Sequence, residues 1–118
     1  MMKNSVIFSM ALAATGIVAG TIPTSAVAAE TVMVKYRGPV DLAPFNCEWV
    51  SRSSVVNRLC YDAKEKYVVV NLSGTYYHYC EVPANVVSAW RQADSMGRYY
   101  NAVVKGRYDC RVLRVPAY

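Results

Sequence analysis

The chain has 118 residues, with 13 lysines and arginines against 8 acids, four cysteines and a single histidine. That length supports one folded domain rather than two, and a formal charge of +5 favours solubility and attraction to anionic surfaces without naming a partner. One histidine excludes a metal centre built on imidazoles, and neither a glycine-rich phosphate loop nor a G-x-S-x-G nucleophile motif is present.

The N-terminus has the three parts of a cleavable signal peptide over residues 1–28. Lys3 gives the positive start, Val6 to Ala19 is apolar apart from Ser9, Thr15 and Gly16, and small residues fill Ala26 to Ala29. Signal peptidase needs small side chains one and three residues before the cut. Cleavage after Ala28 is preferred, and cleavage after Ala29 also fits. A membrane-spanning helix takes about 20 mostly apolar residues, more than this run offers before Pro23. No cysteine opens the mature chain to carry a lipid. The expected product is an exported protein of about 90 residues, periplasmic or extracellular, with no stable membrane insertion once the signal is gone.

Residues 29–50 read as an N-terminal arm. Thr31 to Lys35 can form a short strand, but Gly38-Pro39 and Pro44 interrupt regular continuation. Phe45 and Trp49 are the side chains available to pin the arm onto the domain.

Three runs of strand composition follow. Val55 to Tyr61 leads into a polar turn, Asp62 to Glu65. Lys66 to Leu72 leads into a tight turn at Ser73-Gly74, and Thr75 to Val82 completes a meander. Period-2 alternation puts Val68, Val70 and Leu72 on one face of the second strand, and Tyr77 and Tyr79 on one face of the third. These form the expected covered face, with Tyr76, His78 and Cys80 pointing the other way.

After Pro83 the period becomes helical through Val86, Val87, Trp90 and Ala93. Trp90 is the expected plug between helix and sheet. Asp94-Ser95 can cap a second helix that runs through Met96, Tyr99, Tyr100, Val103 and Val104 to Gly106. Gly97 permits close approach to the sheet. In the tail, residues 111–118, Val112 to Val115 can add a short strand. The fold class is α+β: a small antiparallel β-meander with two C-terminal helices packed on one face.

Within this stretch, residues 53–108 resemble the KTSC domain, a module named after the C-terminus of some lysyl-tRNA synthetases. The landmarks are Ser53-Ser54, Tyr61-Asp62, the Tyr77-x-Tyr79 pair and Val82-Pro83. Ala93-Asp-Ser-x-Gly97-Arg-Tyr-Tyr-Asn101 and Lys105-Gly-Arg-Tyr108 complete the set. The resemblance implies the same strand-then-helix order for a domain over 51–110. It implies no catalytic role, and it brings a suggestion of RNA binding.

Cys47, Cys60, Cys80 and Cys110 make an even set in a small exported domain, which reads as two disulfides. Structural zinc would favour closely spaced cysteine pairs, and these spacings contain none. Three connectivities are open. Cys47–Cys110 with Cys60–Cys80 is favoured, because the first pair flanks the domain and the second lies at one edge of the meander. Against it, the first and third strands lie roughly 9.5 Å apart, beyond the ~7 Å that Cα atoms in a disulfide allow.

No grouping points to catalysis. His78, between two tyrosines on an alternating strand, reads as an outward-facing sheet residue. Asp62, Glu65 and Glu81 are the carboxylates a small glycan hydrolase would need, and their turn positions read as solvated surface. Arg98, Lys105, Arg107, Arg111 and Arg114, offset mainly by Asp109, make the C-terminal end basic. With Tyr76 and His78 they form the minimum set for gripping a polyanion by charge and stacking. The reading is a non-enzymatic interaction module without a cofactor, whose partner is a protein or surface polymer. Nucleic-acid or polyanion binding is the alternative.

Overall fold

In the computed structural model, which describes residues 30–118, strands account for most of the chain before Pro83. The expected signal peptide lies outside the described residues. The strands are β1 (Thr31–Val34), β2 (Gly38–Asp41), β3 (Asn46–Trp49), β4 (Val56–Asp62), β5 (Tyr67–Leu72) and β6 (Thr75–Tyr79). Helix α1 (Ala84–Gln92) and the short α2 (Met96–Tyr99) follow, and α2 passes into a π-helical turn over Tyr100–Val104. The fold is α+β.

Strands β4, β5 and β6 form the antiparallel meander that their composition predicts. Local chemistry makes both turns. Asp62 Oδ1 accepts bonds from the N–H groups of Lys64 and Glu65 at 3.1 and 3.3 Å, a side-chain-built turn. Ser73 and Gly74 take φ of 52° and 96°, and two positive φ values suit the twist of a two-residue hairpin.

The arm departs from the expectation. It enlarges the meander into a mixed six-stranded sheet in the order β2-β1-β6-β5-β4-β3. The β1–β2 hairpin docks with β1 parallel to β6, through Val34 opposite Tyr76. Strand β3 runs antiparallel along β4 on the far edge. Gly38, read as a break, has φ +102° and helps turn the chain back on itself. Pro39 is tolerated because β2 is an edge strand with no outer ladder to supply.

The sheet has a core on each face. Beneath the helices, Leu59, Tyr61, Val68 and Val70 pack against Val87, Trp90, Met96 and Val104, with Leu72, Tyr77 and Tyr79 at the margin. This is the face assigned from alternation. Trp90 is wholly buried, donates Nε1–H to Met96 O at 3.1 Å and stacks on Tyr99 and Tyr100. The opposite face is also covered. Tyr67, Val69, Cys60 and Cys80 pack with Val32, Val34, Val40 and Leu42 of the arm, and with Leu113 of the tail.

Two further expectations are corrected. The second helix does not stay α-helical to Gly106: Lys105 N–H bonds Tyr100 O at 2.8 Å, one residue beyond α-helical reach. Val112 to Val115 forms no strand. The tail is held by side chains instead, with Arg114 N–H on Glu81 Oε2 at 2.9 Å and Tyr118 Oη–H donating to Asp62 Oδ2.

The disulfides number two, as the cysteine count predicts, but the favoured pairing is wrong. The structure joins Cys47 to Cys60 and Cys80 to Cys110. The reason is β3: pairing with β4 sets Cys47 directly opposite Cys60, with Cα atoms 4.0 Å apart. Cys60 and Cys80 stay on β4 and just past β6, with β5 between the two strands. The distance objection raised by the meander therefore holds.

Candidate functional site

Beyond the one parallel bridge between β1 and β6, the two strands part. The β1–β2 turn at Lys35-Tyr36-Arg37 leans outward, and the loop after the π-helical turn returns past the end of β6 through Lys105 to Arg111. Between them lies a cleft of about 540 Å³. Its floor is Tyr77, His78 and Tyr79 with Tyr100 behind. One wall is Tyr36, and the other carries Lys105, Arg107 and Arg111 with Asp109.

Period 2 explains the mixed character of the floor, because beyond Tyr76 β6 has no neighbour on the β1 side and side chains of both its faces border the gap. Tyr77 and Tyr79 belong to the helix-covered face. Tyr79 Oη shares a short hydrogen bond with Tyr100 Oη, and burial followed by that bond holds the Tyr79 phenol well above its ordinary pKa. His78 belongs to the other face. It does not point freely outward as alternation suggested: its ring is half-buried and meets Tyr67 edge-on, with Nδ1 2.7 Å from Tyr67 Oη. Desolvation lowers the His78 pKa, with Arg37 lowering it further and Asp109 opposing.

The walls differ in charge availability. Arg111 makes three side-chain contacts of 2.7–3.1 Å with Asp109, and these hold the Asp109 carboxyl at about 2. Lys105 and Arg107 are exposed and have no acidic partner among the described residues. Lys35 is in the same condition, with its ammonium 5.4 Å from the Tyr36 ring centre and 5.8 Å from that of Tyr77, within cation–π range. Tyr36, 84% exposed, presents most of its ring to solvent.

Of the residues singled out from sequence, His78, Lys105, Arg107, Arg111, Tyr77 and Tyr79 meet in this cleft. Two do not. Tyr76 lies on the arm-covered face, where its hydroxyl accepts from Arg58 at 3.2 Å. Arg98 lines a separate polar hollow with Ser53, Ser54, Ser95 and Asn101. Asp62, Glu65 and Glu81, weighed as hydrolytic acids, each anchor the tail: Asp62 takes Tyr118, and Glu65 and Glu81 take Arg114. Sequence reasoning missed Lys35, Tyr36 and Tyr100 as site residues, and had Asp109 only as an offset to the basic run. Nothing local could bring Tyr36 to Tyr77, because the β1–β6 contact joins segments about forty residues apart. Among the described residues, no group of three His, Cys, Asp or Glu could hold a metal ion, and no helix is long and apolar enough to cross a membrane.

The KTSC domain model matches residues 52–108. An uncharacterised protein of Stutzerimonas stutzeri is 40% identical over 58 residues, which is 48% of this chain and 82% of that protein. The chain belongs to the KTSC domain family. A crystal structure of a KTSC domain protein from Yersinia pestis is similar to it at a TM-score of 0.52 and 26% identity, covering 55% of this chain and 92% of that one. The KTSC match contains Cys60 and Cys80 but neither Cys47 nor Cys110. Each disulfide therefore ties a segment outside the KTSC match to one inside it. The cleft straddles the same seam: the KTSC part supplies Tyr77 to Tyr79, Tyr100, Lys105 and Arg107, and the flanking segments supply Tyr36, Asp109 and Arg111.

Proposed function

We propose that the mature protein is an exported interaction module with no reaction of its own, and that its partner binds in the cleft between the β1–β2 turn and the 105–111 loop. The observation that carries this reading is a set of exposed cations without acid partners, Lys105 and Arg107 in the wall of the tyrosine-floored cleft and Lys35 beside its Tyr36 and Tyr77 rings. Two disulfides support an oxidising compartment, where such bonds persist, in line with the signal peptide read from sequence. Site-specific photo-crosslinking tests the assignment. A crosslinker at position 36 captures the partner, and one at position 98, on the separate hollow, does not. Equal capture at both positions, or capture at 98 alone, removes the cleft from the reading.

The second reading, polyanion or nucleic-acid binding, is favoured by the same cations beside stackable rings. Titration against RNA, DNA and heparin at two salt concentrations tests it, because phosphate contacts weaken steeply with salt through counterion release. Binding that is absent, or flat with salt, excludes it.

A further inference from the structure

The floor of the cleft offers backbone as well as side chains. Strands β5 and β6 meet in a two-residue turn, so from Leu72–Thr75 onward hydrogen-bonded pairs alternate with non-bonded ones. Tyr77 and Tyr79 bond back to β5, whereas Tyr76 and His78 aim their N–H and C=O groups away from it. Two contacts confirm the direction. Tyr76 O accepts from Lys35 N–H at 2.8 Å, and Cys80 N–H, also outward, donates to Tyr108 O at 2.9 Å. His78 stands between them, and its main-chain N–H and C=O have no partner among the described residues. Strand β1 would have supplied one, but Arg37 N–H bonds back to Val34 O at 3.0 Å and the chain turns away. The gap it leaves is the cleft.

We infer that the cleft receives an extended acidic peptide segment of a partner protein, which takes the place β1 vacates and exchanges main-chain hydrogen bonds with His78. This rests on the cleft being the partner site, as proposed above, and adds the chemistry of the occupant. A peptide unit brings both a donor and an acceptor, the two groups His78 lacks. A phosphate or sulfate chain brings acceptors only and leaves the His78 carbonyl unpaired, a cost once the cleft is closed to water. The side-chain charges agree. Lys35, Lys105 and Arg107 await carboxylates, and Asp109 does not oppose them because Arg111 already neutralises it. Strand addition of this kind draws affinity from the main chain and selectivity from alternate side chains.

The probe is a blocked pentapeptide of alternating glutamate and valine, titrated against the full oxidised protein. It should bind and slow exchange of the His78 amide hydrogen. Alternate amides of a strand face the same edge, so N-methylation of the glutamate amides and of the valine amides separates the two edges. One of these peptides should lose at least about tenfold in affinity and the other should keep it. The lysine–valine counterpart should fail to bind. The double variant Lys105→Glu with Arg107→Glu, both at exposed sites, should weaken binding by about tenfold or more with an unchanged melting temperature. No binding of the glutamate–valine peptide up to about 1 mM, or equal binding of both N-methylated forms, overturns the inference. Binding of single-stranded RNA or polyphosphate in its place overturns the peptide and leaves the cleft as the partner site. Crosslinking at position 98 alone overturns both.

Discussion

His78 is neutral in the folded protein at pH 7 because burial penalises the imidazolium and Arg37 adds to that penalty. The unfolded chain takes up the proton near 6.5. His78 therefore contributes its full share of stability above that value and loses it as pH falls through the lower folded pKa. An NMR titration of the imidazole should give a midpoint below 6.5, and a midpoint at or above it contradicts the burial described. Arg58 makes a second residue-scale case. It is buried in β4, grips Glu30 at 2.6 and 2.9 Å, and lies over the Trp49 ring at 4.2 Å. It thus joins the start of β1 and the outer strand β3 to the meander. Glu30 is half exposed, so Glu30→Gln should cost only about 1 kcal/mol. Arg58→Ala, which also strips the cover from Trp49, should cost more than Glu30→Gln in denaturant melts. Equal costs would mean that the ring contact contributes nothing.

The elements divide by how local their causes are. The hairpin turns, the face assignment of β5 and β6, and the burial of Trp90 follow from alternation, turn residues and helical spacing, each settled within a few residues. Trp90→Ala should cost about 3–5 kcal/mol, a large part of the 5–15 kcal/mol expected of such a domain. Chemical denaturation of the purified variant measures it, and a cost under about 1 kcal/mol would contradict the observed packing. The arm was harder to read, because Gly38, Pro39 and Pro44 look like breaks when no sheet edge is in view. Once β1 lies against β6 and β3 against β4, the same residues become a hairpin reversal, an edge strand and a link between them. The disulfide pairing failed for the same reason. A meander alone leaves out β3, and only β3 brings Cys47 opposite Cys60. Half of the cleft was legible in the basic run and the tyrosine pair. The other side, Tyr36 with Lys35 beside it, depends on a parallel contact that no local pattern encodes.

For the whole molecule, covalent connectivity is the most direct check. Non-reducing peptide mapping should recover Cys47 with Cys60 and Cys80 with Cys110, and a Cys47–Cys110 or Cys60–Cys80 peptide would contradict the structure. Intact mass of the exported protein should place its start at Ala29 or Glu30, about 4 Da below the reduced chain. An unprocessed N-terminus in a membrane fraction would overturn the signal-peptide reading. On the chain-entropy view the two bridges are worth roughly 3 and 3.5 kcal/mol, so reduction should lower the melting temperature by many degrees.

The parallel seam between β1 and β6 also orders events in time. β1 is the first of the described strands in the chain, yet the strand it lies against is the last of those six. The meander closes through near neighbours and can form quickly, whereas the β1–β6 junction must bring together segments about forty residues apart and bear that loop-closure entropy. During folding the N-terminal hairpin therefore waits, with Val32, Val34 and Val40 uncovered, until the tyrosine strand has paired with β5. The cleft is then incomplete until the first of the described strands has docked on the last.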